Sequence, residues 1–364
     1  CHPDPGSRGL CLSTKVHHNR HCQFRYEMSE KPLLFLDPYP RNQEMVFSEA
    51  TEKILRDLGH LVIHFGSRAP DELVEEILPE VQVIIGQTAM PRERLDRAPK
   101  LRAILNVKAN WEPNIDYAEA HARCIHVLSA APAMAPAVAE FCLGQAITLA
   151  RGLQHADPLF RETQEAYGIG GNTKAYSLYN STVGMVGYGN LGKSLVPLLR
   201  PFQPEILVHD PWLSKGYLNK EGLIPASLEE ILAKSKFLFL LAGVTTENEG
   251  FLGRTLLESI PADATVVLAS RAEIVDFEAF VELAGQGRFR AAIDVFPEEP
   301  VSKDDPVRKT PNILFSSHLA GGIRASYARI QEMMLDDIGQ ILKGLPPLRM
   351  QRAEPTLAAK MRSR

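Results

Sequence analysis

Short apolar runs alternate with amphipathic segments along most of this chain, and few architectures accept that alternation. Leu33–Leu36, His60–Phe65 and Val81–Ile85 have the length and branched character of buried strands, and Leu101–Val107 and Ile125–Leu128 continue the series. Between them, Glu49–Leu58 and Asp71–Leu78 carry apolar residues at helical spacing. Strand–helix alternation builds a parallel sheet with helices on both faces, because each crossover must return over the sheet. One α/β unit is therefore expected to be complete by about residue 130, and a second begins at Thr182. The second series reads Thr182–Val186, Glu205–His209, Phe237–Leu241, Thr265–Ala269, Ala291–Val295 and Ile313–Phe315. Between the units, Ala130–Pro136 reads as a crossing, followed by an apolar helix from Ala137 to about Leu153. A helix apolar on most faces must be covered, by an interdomain contact or by a second copy of the chain. Ile323–Leu342 reads as a long amphipathic helix and Arg349–Arg364 as a loose tail. The expected class is α/β with two doubly wound parallel-sheet domains, which 364 residues accommodate.

Composition narrows the partners. With 40 Lys and Arg against 44 Asp and Glu, the formal net charge is -4, so no broad basic field invites nucleic acid or an anionic membrane. No apolar run is read as approaching the ~20 residues that cross a bilayer. Cys1, Cys11 and Cys22 crowd the start while Cys124 and Cys142 lie in the body; this does not read as a disulfide framework, so a reducing, cytoplasmic setting is expected. Residues 1–28 are expected to form a disordered leader without a secretory pattern. Cys11, His17, His18, His21 and Cys22 lack a recognised ligand spacing, so no metal is expected.

The turn Gly187-Tyr188-Gly189-Asn190-Leu191-Gly192 follows a buried-strand pattern and precedes an amphipathic stretch carrying Leu195 and Leu198. Alone, three glycines at this spacing say little; in this context they read as a dinucleotide turn. Gly187 permits the tight bend, Gly189 lets backbone approach a pyrophosphate, and Gly192 permits close packing of helix on strand. The helix amino end then offers free N–H groups and a positive dipole to the phosphates. Eighteen residues beyond Gly192, Asp210 ends the next strand, where a carboxylate accepts from ribose hydroxyls and repels a 2′-phosphate. NAD is therefore expected over NADP. Pro197 lies inside the expected helix and should kink or shorten it.

Three polar residues stand at later strand ends: Arg271 after Thr265–Ser270, Glu299 after the strand reaching Asp294, and His318 after Asn312–Ser317. In a parallel sheet these carboxyl ends share the edge that holds the phosphate turn. A guanidinium clamps a carboxylate bidentately, an imidazole moves the hydroxyl proton near neutral pH, and a carboxylate behind the imidazole orients it.

These segments carry a resemblance. Asp210-Pro211, Ser270-Arg271 through Val275-Asp276, Asp294-Val295-Phe296 through Glu299-Pro300, and Ser317-His318-Leu319-Ala320-Gly321 resemble the D-isomer-specific 2-hydroxyacid dehydrogenase family, in the same order and over about Leu33 to Leu345. The resemblance implies hydride transfer between NAD and a small D-2-hydroxy or 2-oxo acid. Arg271 would bind the substrate carboxylate, His318 would be the acid/base with Glu299 as its partner, and Asp294 and Ser270 would lie beside the cofactor. Formate dehydrogenases of this family pair the His with Gln, so Glu299 speaks against formate. The family fold implies a flavodoxin-like substrate domain over 29–131, completed by 320–347, and a Rossmann NAD-binding domain over 132–319, leaving 348–364 as the loose tail.

The chain departs from the family at three places. Val107-Lys108-Ala109-Asn110-Trp111-Glu112-Pro113 replaces a glycine-containing substrate loop, so Lys108, Ala109 and Asn110 are candidate substrate contacts and Trp111 would narrow the site. Leu241-Ala242-Gly243 stands where the family has His-x-Pro, and Leu268 and Ala272 flank the Arg motif in place of Asn and Gly. These changes motivate an alternative, an NAD-responsive regulatory protein of corepressor type; the intact Arg–Glu–His set favours the enzyme. A homodimer is expected from the apolar helix.

Overall fold

The computed structural model describes residues 31–360 apart from positions 43, 44 and 46, so the expected leader and its His and Cys residues lie outside the described residues. Two sheets are present. In the first, β1 (Leu33–Asp37), β2 (His60–Ile63), β3 (Val81–Gly86), β4 (Ala103–Asn106) and β5 (His126–Ser129) run parallel in the order β2-β1-β3-β4-β5. This is the flavodoxin-like order. In the second sheet, β6 (Thr182–Val186), β7 (Glu205–His209), β8 (Ile224–Pro225), β9 (Phe237–Leu240), β10 (Thr265–Leu268), β11 (Arg290–Ile293) and β12 (Ile313–Phe315) are all parallel. Their order, β12-β11-β10-β9-β6-β7-β8, is the Rossmann order with one strand added. The chain reverses direction across the sheet between β6 and β9, and such a switch point opens a crevice at the carboxyl ends, where ligands bind. Central strands β4, β9 and β10 are buried at every residue, as helices on both faces require.

The expected crossing at Ala130–Pro136 is instead helical. One helix spans Ala131–Arg151, with Pro132 in its first turn, where a missing N–H costs nothing, and Pro136 inside it. Ala133 and Met134 enter the core under the first sheet, while Val138, Cys142, Ala146 and Leu149 enter that of the second. The helix thus bridges two hydrophobic cores, which explains its low polarity. Contrary to the sequence reading, it is long and apolar enough to cross a bilayer by length and composition, but more than half of its most apolar stretch is buried within the chain. Pro197 lies inside helix Asn190–Leu199, which runs two residues past it and continues as a 3₁₀ turn at Arg200–Phe202. Cys142 is a buried free thiol, whereas Cys124 is disulfide-bonded.

After the second sheet the chain returns to the first. Helix Arg324–Leu342 buries Ile330, Met333, Met334, Ile338 and Ile341 among Leu34, Leu36 and Leu55. The following segment is not loose. The buried Asp337 carboxylate accepts from the backbone N–H of Leu348, Arg349 and Met350 at 2.7–2.9 Å. Gln351–Arg352 then forms β13, antiparallel to β5, and Ala358 packs into the first unit. Buried backbone must find partners, and a fully buried carboxylate supplies them.

Arg352 Nη2 donates to His126 Nδ1 at 3.0 Å, an arrangement that needs the imidazole unprotonated. Burial first, then the charges of Arg352 and Arg102, push the His126 pKa down from 6.5 to about 4, with Asp337 opposing. Between those values the unfolded chain binds a proton that the folded chain refuses. Stability is therefore complete above pH 6.5 and falls as pH drops towards 4. The thermal midpoint should fall through that window, and His126→Gln should flatten that part of the slope; identical slopes in the two proteins would refute the assignment.

Candidate active site

The glycine turn leaves β6 at the switch point. Gly187 has φ +96°, and a Cβ there would stand 2.8 Å from the Ala242 backbone after β9, so neither conformation nor space admits a side chain. Gly189 differs: a Cβ there would meet no atom within 4 Å. The open face of the turn is thus free for a ligand to approach backbone, which fits a dinucleotide pyrophosphate. A Cβ on Gly192 would press on Tyr188 and the Gly187 carbonyl, so this glycine serves the turn itself rather than helix–strand packing. Leu191 packs on the second core. Asn190 turns its side chain to Gln351, with Nδ2 donating to Oε1 at 2.7 Å. Asp210 accepts from Tyr188 N at 2.8 Å and from Trp212 N at 3.0 Å, which holds a carboxylate at the lip of the turn. Ser270 is buried and donates to the Leu240 carbonyl at 2.9 Å, joining two strand ends.

Glu299 and His318 meet as the sequence suggested. His318 Nδ1 and Glu299 Oε2 are 2.6 Å apart, and the other carboxylate oxygen accepts from Phe296 N at 2.9 Å. The His318 side chain is 48% exposed, so its remaining nitrogen is open to a substrate. His318 adopts φ +54°, uncommon for a residue with a Cβ, and strain of this kind persists only where the surroundings enforce it. Asp294 enforces it. Its backbone carbonyl accepts from His318 N at 2.8 Å, and its carboxylate, 2% exposed, accepts from Ser316 Oγ, Leu319 N and Ala320 N at 2.6–3.0 Å. Expected beside the nicotinamide, Asp294 spends its carboxylate on the His318 loop. No sequence signal identified this bracing role, because its partners are mostly backbone N–H groups.

Arg271 binds across the two units. Nη1 donates to the Ser270 carbonyl at 2.6 Å and Nη2 to Asn110 Oδ1 at 2.5 Å, so the strand end after β10 is tied to the loop after β4. Burial pushes its pKa below the ordinary value against the opposing charges of Glu273 and Glu299. No carboxylate among the described residues forms a salt bridge with it. A desolvated cation without a paired anion is costly, and an incoming carboxylate relieves that cost.

The loop candidates divide. Asn110 reaches Arg271, and its carbonyl accepts from Asn106 Nδ2 at 2.7 Å. Ala109 packs on the first core. Lys108 is ion-paired with Glu112 inside its own loop, and Arg68 lies 3.7 Å from the same carboxylate, so Lys108 is engaged within the loop while the trio keeps one net positive charge. Trp111 does not narrow the site: it is 3% exposed, buried in the first unit edge-on to Tyr117 at 6.1 Å. A pocket of about 450 Å³ flanks the Glu299–His318 pair and is lined also by Phe296, Pro300, Val301, Val307, Arg308 and Phe315. Neither Arg271 nor the glycine turn is among its lining residues.

Residues 143–320 match the family model described as D-isomer specific 2-hydroxyacid dehydrogenase, NAD binding domain. A solved phosphoglycerate oxidoreductase from Rhizobium etli is similar at 39% identity, covering 89% of this chain and 98% of its own, with a TM-score of 0.80. The D-3-phosphoglycerate dehydrogenase of Methanocaldococcus jannaschii is 26% identical over 80% of this chain and 55% of its own length. The glyoxylate reductase of Korarchaeum cryptofilum is 28% identical over 70% of this chain and 77% of its own. The chain thus spans about half the length of the M. jannaschii relative.

Proposed function

The chain belongs to the D-isomer specific 2-hydroxyacid dehydrogenase family and carries its NAD-binding domain, and from that premise we propose that it interconverts a small D-2-hydroxy acid and its 2-oxo acid. The observation that carries the reading is the pairing of two neighbouring groups: a desolvated Arg271 without an anionic partner, and an exposed His318 held by Glu299. NAD supplies the hydride acceptor, or NADH the donor. Gly187, Gly189 and Gly192 shape the turn that would hold its pyrophosphate, and Asp210 would accept from its ribose.

Arg271 has five N–H donors and spends two within the protein, which leaves donors to clamp a carboxylate. Asn110 orients the guanidinium. With Nδ1 engaged by Glu299, the Nε2 of His318 takes the proton from the 2-hydroxyl on oxidation and returns it to the carbonyl oxygen on reduction. Glu299 steadies the imidazolium that forms. Glu112 engages Lys108 and has Arg68 beside it, so two cations share one carboxylate and the trio keeps one net positive charge near the loop that carries Asn110.

The test is NADH oxidation by the purified protein against a panel of 2-oxo acids, from glyoxylate to members with a phosphorylated tail. Turnover of at least one 2-oxo acid in the panel, and a loss of NADH preference over NADPH in Asp210→Ala, are the expected results. Tight NADH binding with no turnover across the panel would overturn the enzyme reading. We also assign a homodimer, since Phe160, Tyr167 and Ile169, just beyond the bridging helix, are 62–86% exposed; a monomer mass by light scattering would refute it.

A further inference from the structure

The segment after the last long helix has no part in the chemistry above, yet it meets the cofactor edge of the second unit at separate points. Gln351 Oε1 accepts from Asn190 Nδ2 at 2.7 Å, and Asn190 is the first residue of the helix behind the glycine turn. Nine residues on, the Lys360 carbonyl accepts from Thr246 N at 2.9 Å, in the stretch that follows β9. Lys360 Nζ pairs with Glu247 at 2.7 Å and lies 5.3 Å from the centre of the Trp212 ring. Trp212 in turn donates its backbone N–H to Asp210. The segment therefore touches both the pyrophosphate turn and the neighbourhood of the ribose carboxylate.

Its attachments are unequal. On the first unit it is held by three N–H groups on the buried Asp337 carboxylate, by β13 pairing with β5, by Ala353 N donating to the Val127 carbonyl at 2.8 Å, and by the buried Ala358. On the second unit it is held by one side-chain hydrogen bond, one backbone hydrogen bond, the Lys360 contact with the exposed Trp212 ring and an ion pair whose partners are 31% and 57% exposed. Exposed pairs of this kind are weak and screened by salt. A segment fixed firmly on one side of a crevice and weakly on the other releases on the weak side first.

We propose that residues 351–360 form a strap across the dinucleotide crevice that limits exchange of NAD(H). Gln351 and Lys360 are positioning residues, Gln351 acting through Asn190 and Lys360 through Glu247 and Trp212. The proposal rests on the NAD reading above. Release of the nicotinamide cofactor then requires the second-unit contacts to break, and the exchange rate depends on groups that never touch substrate.

The experiment is displacement of bound NADH from the full chain, followed by its fluorescence. Gln351→Ala combined with Lys360→Glu should speed dissociation about tenfold, the effect of losing two weak polar contacts, while the thermal midpoint stays near that of the parent. Entry is freed as well, so equilibrium affinity should change less than the dissociation rate. Added salt should speed release from the parent and not from the double variant, and Lys360→Arg should keep the parent rate. If the double variant folds poorly, Lys360→Glu alone, at a part-exposed position, carries the measurement. An unchanged dissociation rate in a folded variant overturns the strap, as does a loss of affinity that merely follows a loss of stability. A parent chain that binds no NADH overturns the dinucleotide reading itself, and the strap with it.

Discussion

His318→Ala should lower kcat about 10²–10⁴-fold while leaving NADH binding intact, because it removes the proton carrier and no group of the glycine turn. That loss corresponds to about 3–5 kcal/mol of transition-state stabilisation. The more informative companion is Glu299→Gln. Both oxygens of Glu299 accept, one from Phe296 N and one paired with His318 Nδ1. A glutamine has one accepting oxygen and one donating nitrogen, so it must either leave Phe296 N facing a donor or present a donor to the imidazole. The second choice reverses the tautomer and puts the hydrogen on Nε2. A kcat deficit in hydroxy-acid oxidation should follow, with the acid KM little changed, since the carboxylate clamp is Arg271. Pre-steady-state and steady-state rates with NADH would check both variants. Full activity in His318→Ala would remove the acid/base assignment, and unchanged kcat in Glu299→Gln would remove the orienting role.

Trp111→Ala should destabilise the protein by about 3–5 kcal/mol, the usual cost of emptying a large aromatic from a packed core. Trp111 sits edge-on to Tyr117 among Phe35, Ile84, Met90 and Ile104, and its removal leaves a cavity between the first sheet and its covering helices. The Tyr117 hydroxyl donates to the Glu112 carbonyl at 2.5 Å, and Glu112 holds Lys108, so the cavity also loosens the loop that carries Asn110. A drop in the thermal midpoint of roughly 6–20 °C is expected for a unit of this size. Were Trp111 instead a wall of the substrate site, the acid KM would change while the midpoint held. Calorimetry and a substrate titration on one preparation distinguish the two.

The Trp111 case shows where reading the chain falls short. Its neighbours along the sequence are Asn110, which touches Arg271, and Glu112, which pairs with Lys108, so proximity in sequence suggested a site residue. In an irregular loop, consecutive side chains point in unrelated directions, and no periodicity reports which one turns inward. The bracing contacts of Asp294 were hidden for a related reason. A carboxylate at a strand end beside a nicotinamide site reads as a ligand contact, and only the fold back of Ser316 to Ala320 shows that it holds the loop. The segment beyond Leu345 looked loose because it is polar and basic. What orders it is a single buried acid, Asp337, on the helix that precedes it.

By itself, the sequence determined that this chain makes two parallel α/β sheets, that the second begins at the glycine turn, and that Arg271, Glu299 and His318 share one edge. Those features follow from local physics: the spacing of apolar residues selects strand or helix, glycine alone tolerates φ +96° at position 187, and parallel strands deliver their carboxyl ends to one side. Tertiary structure alone decided which of the polar residues at that edge face the crevice and which brace it. It also decided that one helix serves two cores and that a segment read as loose spans both units. Those outcomes depend on hydrogen bonds between residues far apart in the chain, 161 positions in the cases of Asn110 with Arg271 and Asn190 with Gln351. Residue order carries no local trace of such partners, because each is chosen only once the sheets have packed.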